Sequence, residues 1–459
     1  MEEKMTKIKD MTQGKPLPLI IQFALPLMLG NVFQNLYTLV DTMVVGKALG
    51  VDALAALGAT DWFYWMLVGI IQGVTQGFSI LISRHFGAKQ YEDLRQVVGA
   101  SVVLSAICSA VLLVAGHLAT RPVLLLLKTP ADIIHWSELY LRILISAGPV
   151  VVAYNLLSCI LRALGDGQSP LRAMIFSSLT NIGLDLLFVL GFDWGIVGAA
   201  AATVIAQVVA GGYCLLRLRQ IDFMGFTPRH FKLQPAMASR LLGLGFPMAF
   251  QNAIIAIGGM IIQMVVNGFG VAFIAGFTAT NKLYGVLEVA ATSYGYAMIT
   301  YVGQNLGAEK TDRIRSGMRC AVAVAIATSV VIAAGMILLG RQILGGFISG
   351  TPEEVAQATQ VGYTYLCYMS VCLPVLYILH VTRSAVQGMG NTVLPMASGI
   401  AEFVMRTGSV LLLPPLIGEK GIFLAEVLAW AGADVILIPS YFITMAKIAK
   451  QIFSQKTPG

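Results

Sequence analysis

The sequence predicts an all-α polytopic membrane protein, with twelve transmembrane helices in two pseudo-symmetric six-helix bundles. Three observations predict it. Of the 459 residues, 57% are hydrophobic and 12% charged, whereas soluble domains carry about 25% charged residues. The apolar residues gather in long runs, and at 1.5 Å of rise per residue about 20 of them cross the hydrocarbon of a bilayer. Short motifs of the first half also recur in the same order in the second, offset by about 220 residues.

Taken in order, the spans run 17–46, 54–84, 94–118, 135–162, 169–191, 195–218, 239–268, 276–304, 315–340, 355–386, 394–414 and 421–446. The segment ahead of them, Met1 to Lys15, is polar and holds four lysines. The span that follows is too long for a signal-peptide core, so it is expected to stay in the protein as the insertion signal. Spans longer than the bilayer is thick are expected to tilt, kink or protrude. The loops alternate in charge. With the N-terminus inside, 22 of the 30 basic residues, Arg383 among them, fall in inside segments, six fall outside, and Arg142 and Arg406 fall within spans. That bias predicts a multi-pass protein of the plasma (inner) membrane with both termini cytoplasmic.

The longest hydrophilic connection, Arg217 to Arg240, lies mid-chain and reads as a linker. The expected division is an N-lobe over 1–220, a cytoplasmic linker over 221–240 and a C-lobe over 241–459. Across the repeat, Phe23-Ala-Leu-Pro26 meets Leu244-Gly-Phe-Pro247, and Gly87-Ala-Lys89 meets Gly307-Ala-Glu309. Pro149 meets Pro374, Arg162-Ala-Leu-Gly165 meets Gln387-Gly-Met-Gly390, and Gly195 meets Gly421. Each half has six spans, so both insert the same way up and the repeat is parallel.

The informative residues are those that break the repeat. Gln34, Tyr37 and Asp41 stand at i, i+3 and i+7 on one face of span 1. The equivalent place near Ile262 has no acid. Asn181 and Asp185 share a face of span 5, where span 11 has Arg406 and Val410; Thr203 of span 6 faces Ala429 in the alignment of halves. A carboxylate inside a span marks a functional site by default. Two carboxylates in low dielectric require a proton or a counter-cation between them. Asn and Thr oxygens suit a hard cation such as Na⁺. The plainer alternative for each acid is a hydrogen bond that ties helices together. In the second half, Glu402, Arg406 and Glu426 read as a self-satisfied buried ion pair or as a second coupling site. Glu288 and Asp434 are weaker candidates. Asn155 and His380 follow the shared proline by six residues and are candidates for the cleft, Asn155 as part of a substrate cavity.

Several classes are excluded. The six cysteines show no pairing or CxxC pattern, so neither disulfides nor zinc are expected. No compact basic stripe suggests nucleic acid, and the basic balance follows membrane topology instead. No phosphate-binding loop or catalytic motif occurs, so an ATP-driven motor or an enzyme is not expected.

These residues together resemble the multidrug and toxic compound extrusion (MATE) family, within the multidrug/oligosaccharidyl-lipid/polysaccharide flippase superfamily. The resemblance covers essentially the whole chain and rests on Leu25-Pro26…Asp41…Gly46, Gly87-Ala88, Arg162-Ala-Leu-Gly-Asp166, Asn181…Asp185 and Gly195…Gly198-Ala-Ala. It implies antiport of H⁺ or Na⁺ against varied, mostly cationic or amphipathic organic compounds by alternating access of the two lobes. No cofactor beyond the coupling ion is implied. By this resemblance Asp41, Asn181, Asp185 and Thr203 form the cation or proton site. Gln34 and Tyr37 line the N-lobe cavity, and Pro26 permits helix bending. One departure is span 7, which lacks the acid some members carry there. Expected partners are small organic substrates and membrane lipids. Twelve spans can form a complete pathway, so a monomer is expected. Two other readings stay open. A lipid-linked glycan flippase would want a cationic cleft, where this chain offers only Arg406 as an isolated buried base. A non-transporting membrane receptor would want a soluble signalling domain.

Overall fold

The computed structural model describes residues 8–49, 51–127, 129–348 and 351–456, with side chains placed for most of them. Among these residues there is no strand. The helices are α1 (Pro16–Leu49), α2 (Val51–Gly87), α3 (Tyr91–Leu126), α4 (Ala131–Ser146), α5 (Gly148–Ala163), α6 (Gln168–Asp185) and α7 (Gly195–Arg219). There follow α8 (Pro235–Val266), α9 (Val271–Gly307), α10 (Thr311–Phe347), α11 (Pro352–Val371), α12 (Leu373–Gly388), α13 (Val393–Leu412), the four-residue α14 (Pro414–Ile417) and α15 (Lys420–Lys456).

Each of the twelve predicted spans falls on a helix. Among the described residues, eight helices are long and apolar enough to cross a membrane, and two bent pairs, each taken as one span, bring the number to ten. Spans 4 and 10 are those pairs: α4 and α5 meet at 48°, α11 and α12 at 51°. Each break lies one residue ahead of the first turn that holds Pro149 or Pro374, the residues the repeat superposes. Proline there lacks an N–H that the preceding helix would have needed. The remaining spans, on α9 and α13, carry more polar residues than the rest, with Asn281, Lys282 and Glu288 on one and Glu402 and Arg406 on the other.

The repeat extends to backbone conformation. Lys89 and Glu309 both have positive φ, 58° and 55°. In each case the next N–H reaches back to a helix carbonyl, Gln90 to His85 and Lys310 to Asn305, as in a left-handed helix C-cap. Gly165 (φ 90°) and Gly390 (φ 86°) close α5 and α12 in the same way, and only glycine takes that conformation without strain.

The chain divides into two compact units, one of Met1–Gln13 and Leu25–Ala249, the other of Gly14–Ala24 and Phe250–Gly459. In the first, the segment after α7 docks on α3. His230 Nδ1 accepts from the Thr227 N–H at 2.9 Å, which leaves Nε2 to donate to Glu92 at 3.0 Å. In the second, the rings of Phe277, Tyr365 and Phe423 stack in series at 4.8 and 5.2 Å and set α9, α11 and α15 together. All six cysteines are free.

Candidate functional site

In the first unit, α6 and α7 bring three of the predicted residues together. Asn181 and Asp185 are buried one turn apart on α6. Asn181 Nδ2 donates to Thr203 Oγ1 of α7 at 3.5 Å, and that hydroxyl donates to its own helix at Ala199 O. The Asn181 Oδ1 atom is buried and accepts no hydrogen bond among the described residues. An open amide oxygen beside a fully buried carboxylate is the kind of oxygen pair a hard cation takes.

Asp185 is also the last residue of the α-helix. From Leu186 to Gly191 the chain continues as a π-helix. Phe188 stacks on Phe192 and Trp194. One π-turn inside a span is a frequent mark of a functional site.

Span 1 comes to α6 at Gly30. A Cβ there would stand 2.8 Å from Met174 Sδ and 3.7 Å from Leu171 Cα, so a side chain at this position would force α1 off α6. The two helices run parallel, since α2, α3 and the bent α4–α5 pair intervene. Asp41 is eleven residues beyond Gly30, and Ile182 is eleven beyond Leu171, whose Cα is the backbone atom nearest that Cβ. Helical rise is the same in both, so Asp41 stands level with the turn that joins Asn181 to Asp185. The backbone of Asp41 is part of α1; its side chain lies outside the described residues. Tyr37 is half-buried and Gln34 exposed on the same helix. Asn155 is half-buried and donates to Val151 O of its own helix at 2.8 Å, rather than to the α6–α7 group. Pro26 lies within α1, which runs unbroken from Pro16 to Leu49.

In the second unit the predicted pair is part of a longer chain of charge. Arg406 Nη2 donates to Glu402 Oε1 at 3.0 Å and to Glu426 Oε2 at 2.7 Å. Glu402 Oε2 accepts from Arg383 Nη2 at 2.7 Å. With the Gln251 amide oxygen turned toward it, Arg383 also donates through Nε at 2.9 Å and Nη1 at 3.3 Å. Two expectations need correction. Arg406 is not an isolated base, and Arg383 is not a loop charge. Arg383 is 8% exposed and sits in α12, paired across to α13. It lies inside the predicted span 355–386. His380 and Glu288 form a separate pair at 3.1 Å, with side chains 17% and 32% exposed.

Comparison with known proteins is consistent with this architecture. The MatE family model matches residues 26–187 and again 247–408. The chain belongs to the MatE family. The two matches begin at Pro26 and Pro247, the prolines that the internal repeat superposes. Among MatE relatives, the chain is 30% identical to the probable multidrug resistance protein YpnP of Bacillus subtilis, over 91% of this chain and 92% of that one. It is 32% identical to the probable multidrug resistance protein YoeA of the same organism, over 65% of this chain and 66% of that one. An outward-facing multidrug resistance MATE transporter superposes with a TM-score of 0.89 at 23% identity, covering 98% of this chain and all of the other. The MatE chain described here is thus a multi-pass helical membrane protein.

Proposed function

We propose that the protein is a cation-coupled antiporter that exports organic, mostly cationic or amphipathic compounds by alternating access of its two lobes. The relatives named for multidrug resistance support efflux. The coupling site rests on one observation: Asp185 is fully buried one turn from Asn181, which bonds Thr203, and Asp41 on α1 stands level with that turn. The second half holds Arg406, Val410 and Ala429 at the places equivalent to Asn181, Asp185 and Thr203, so bundle architecture does not require these groups.

In the proposed cycle the outward-facing N-lobe, 1–220, takes H⁺ or Na⁺ at Asp41 and Asp185. This cancels negative charge, weakens the hold on a cationic substrate, and favours a bend at Pro26. Substrate leaves outward past Gln34, Tyr37 and Asn155. The lobes then exchange access, with 221–240 as the cytoplasmic linker, and the ion leaves inward. The protein works in the plasma membrane as a monomer with both termini cytoplasmic. The test is efflux of a fluorescent cation from cells. Asp41→Asn and Asp185→Asn are expected to abolish it at unchanged protein level. Normal pumping by either variant would sink the assignment.

The glycan-flippase reading gains nothing from the second unit. Its buried guanidiniums, Arg383 and Arg406, are already bound to Glu402 and Glu426, and so are not free to hold a pyrophosphate.

A further inference from the structure

The buried charges of the second unit do not cancel. Glu402 and Glu426 face Arg383 and Arg406 at 2.7 to 3.0 Å, and these four groups sum to zero. Asp434 of α15 is a further carboxylate, 7% exposed. It follows Glu426 by eight residues with Trp430 midway, so the three share one helix face. Its Oδ1 is buried and accepts no hydrogen bond among the described residues.

The charged groups that act on Asp434 are Arg383 of α12 and Glu402 of α13. Arg383 is committed elsewhere, through Nη2 to Glu402 and through Nε and Nη1 to Gln251. Arg406 is held by Glu402 and Glu426. Glu288 of α9 is matched with His380 of α12. Asp434 is therefore the acid of this cluster to which no described donor is directed.

A buried carboxylate without a partner is costly, and either a cation or a proton removes the cost. A metal cation fits poorly. Hard cations want six or more oxygen ligands, and here the fixed positive charge of Arg383 acts on the same carboxylate. A proton needs no further ligand. It forms one O–H bond on a carboxylate oxygen and leaves the carboxyl neutral.

We propose that Asp434 is a proton-binding residue of the second half, separate from the Asp41 and Asp185 site, that takes up and releases a proton as water access to this half changes. Its part in transport rests on the efflux reading above; proton binding itself does not.

The test is an infrared pH titration of the full-length protein in lipid bilayers. Wild type is expected to show titrating carboxylic-acid carbonyl absorption, one component of which is lost in Asp434→Asn. Asp185→Asn is expected to keep that component while losing transport. Trp430, fully buried and 5.9 Å from the Tyr284 ring, supplies a second readout. With Trp62, Trp65, Trp136 and Trp194 replaced by Phe, its emission should follow pH, and Asp434→Asn should remove that dependence. Titrating carbonyl bands and a Trp430 response that are both the same in Asp434→Asn as in wild type overturn the proposal. Should Asp434→Asn not fold, Asp434→Glu serves instead: a shifted band supports the proposal and an unshifted one overturns it. If Asp185→Asn transports normally while the Asp434 band behaves as expected, the N-lobe coupling assignment fails and the proton site stands.

Discussion

Glu402 is held by two guanidinium groups at once, Arg383 at 2.7 Å and Arg406 at 3.0 Å. Removing its charge leaves Arg406 with Glu426 alone and Arg383 with only the neutral Gln251. Breaking a buried pair in this way costs about 3–5 kcal/mol. Glu402→Gln is therefore expected to lower the thermal unfolding temperature in detergent clearly. A melt that matches wild type would show that the pair contributes little to the fold. The Asn181–Thr203 contact is different. At 3.5 Å it is long, and a neutral hydrogen bond contributes about 0.5–1.5 kcal/mol even when well made. Thr203→Val should thus leave the melt within about 1 kcal/mol of wild type but reduce efflux by removing an oxygen from the proposed ion shell. Unchanged efflux in that variant would take Thr203 out of the site.

At the scale of elements, the turn between α2 and α3 carries a measurable strain. Lys89 has φ 58°, a region that costs a residue with a Cβ about 1–2 kcal/mol. Lys89→Gly is expected to unfold at a higher temperature than Lys89→Ala, which loses the same side chain but keeps the strain. Equal melts would mean that the turn relaxes. The pairing of Pro149 with Pro374 was legible in the sequence, but the bends there were not, because Pro26 and Pro247 lie inside helices that run on unbroken. Nor was the π-helix after Asp185. Leu186-Leu-Phe-Val-Leu-Gly191 is apolar in either hydrogen-bonding pattern, so only the folded backbone reveals the wider turn. Arg383 was hidden for another reason. It lies near the end of its span, where a basic residue usually marks the membrane face, and its partner Glu402 is far away in sequence.

For the molecule as a whole, the two-fold repeat was readable because matched turns need the same backbone conformations, and the family match restarts at the second proline of the pair. Asp41, Asn181, Asp185 and Thr203 stood out because polar groups in apolar runs lack any architectural twin. The level of Asp41 beside the turn from Asn181 to Asp185 was not visible, since it depends on the close approach of α1 to α6 at Gly30. The N-half acids are proposed to exchange a coupling cation against an organic substrate. This exchange is tested most directly by uptake of a fluorescent organic cation into proteoliposomes, with pH and Na⁺ gradients imposed one at a time. The expected result is transport driven by one of the two gradients in wild type and by neither in Asp41→Asn or Asp185→Asn. Gradient-driven transport that persists in both variants, or wild-type transport that responds to neither gradient, contradicts the account.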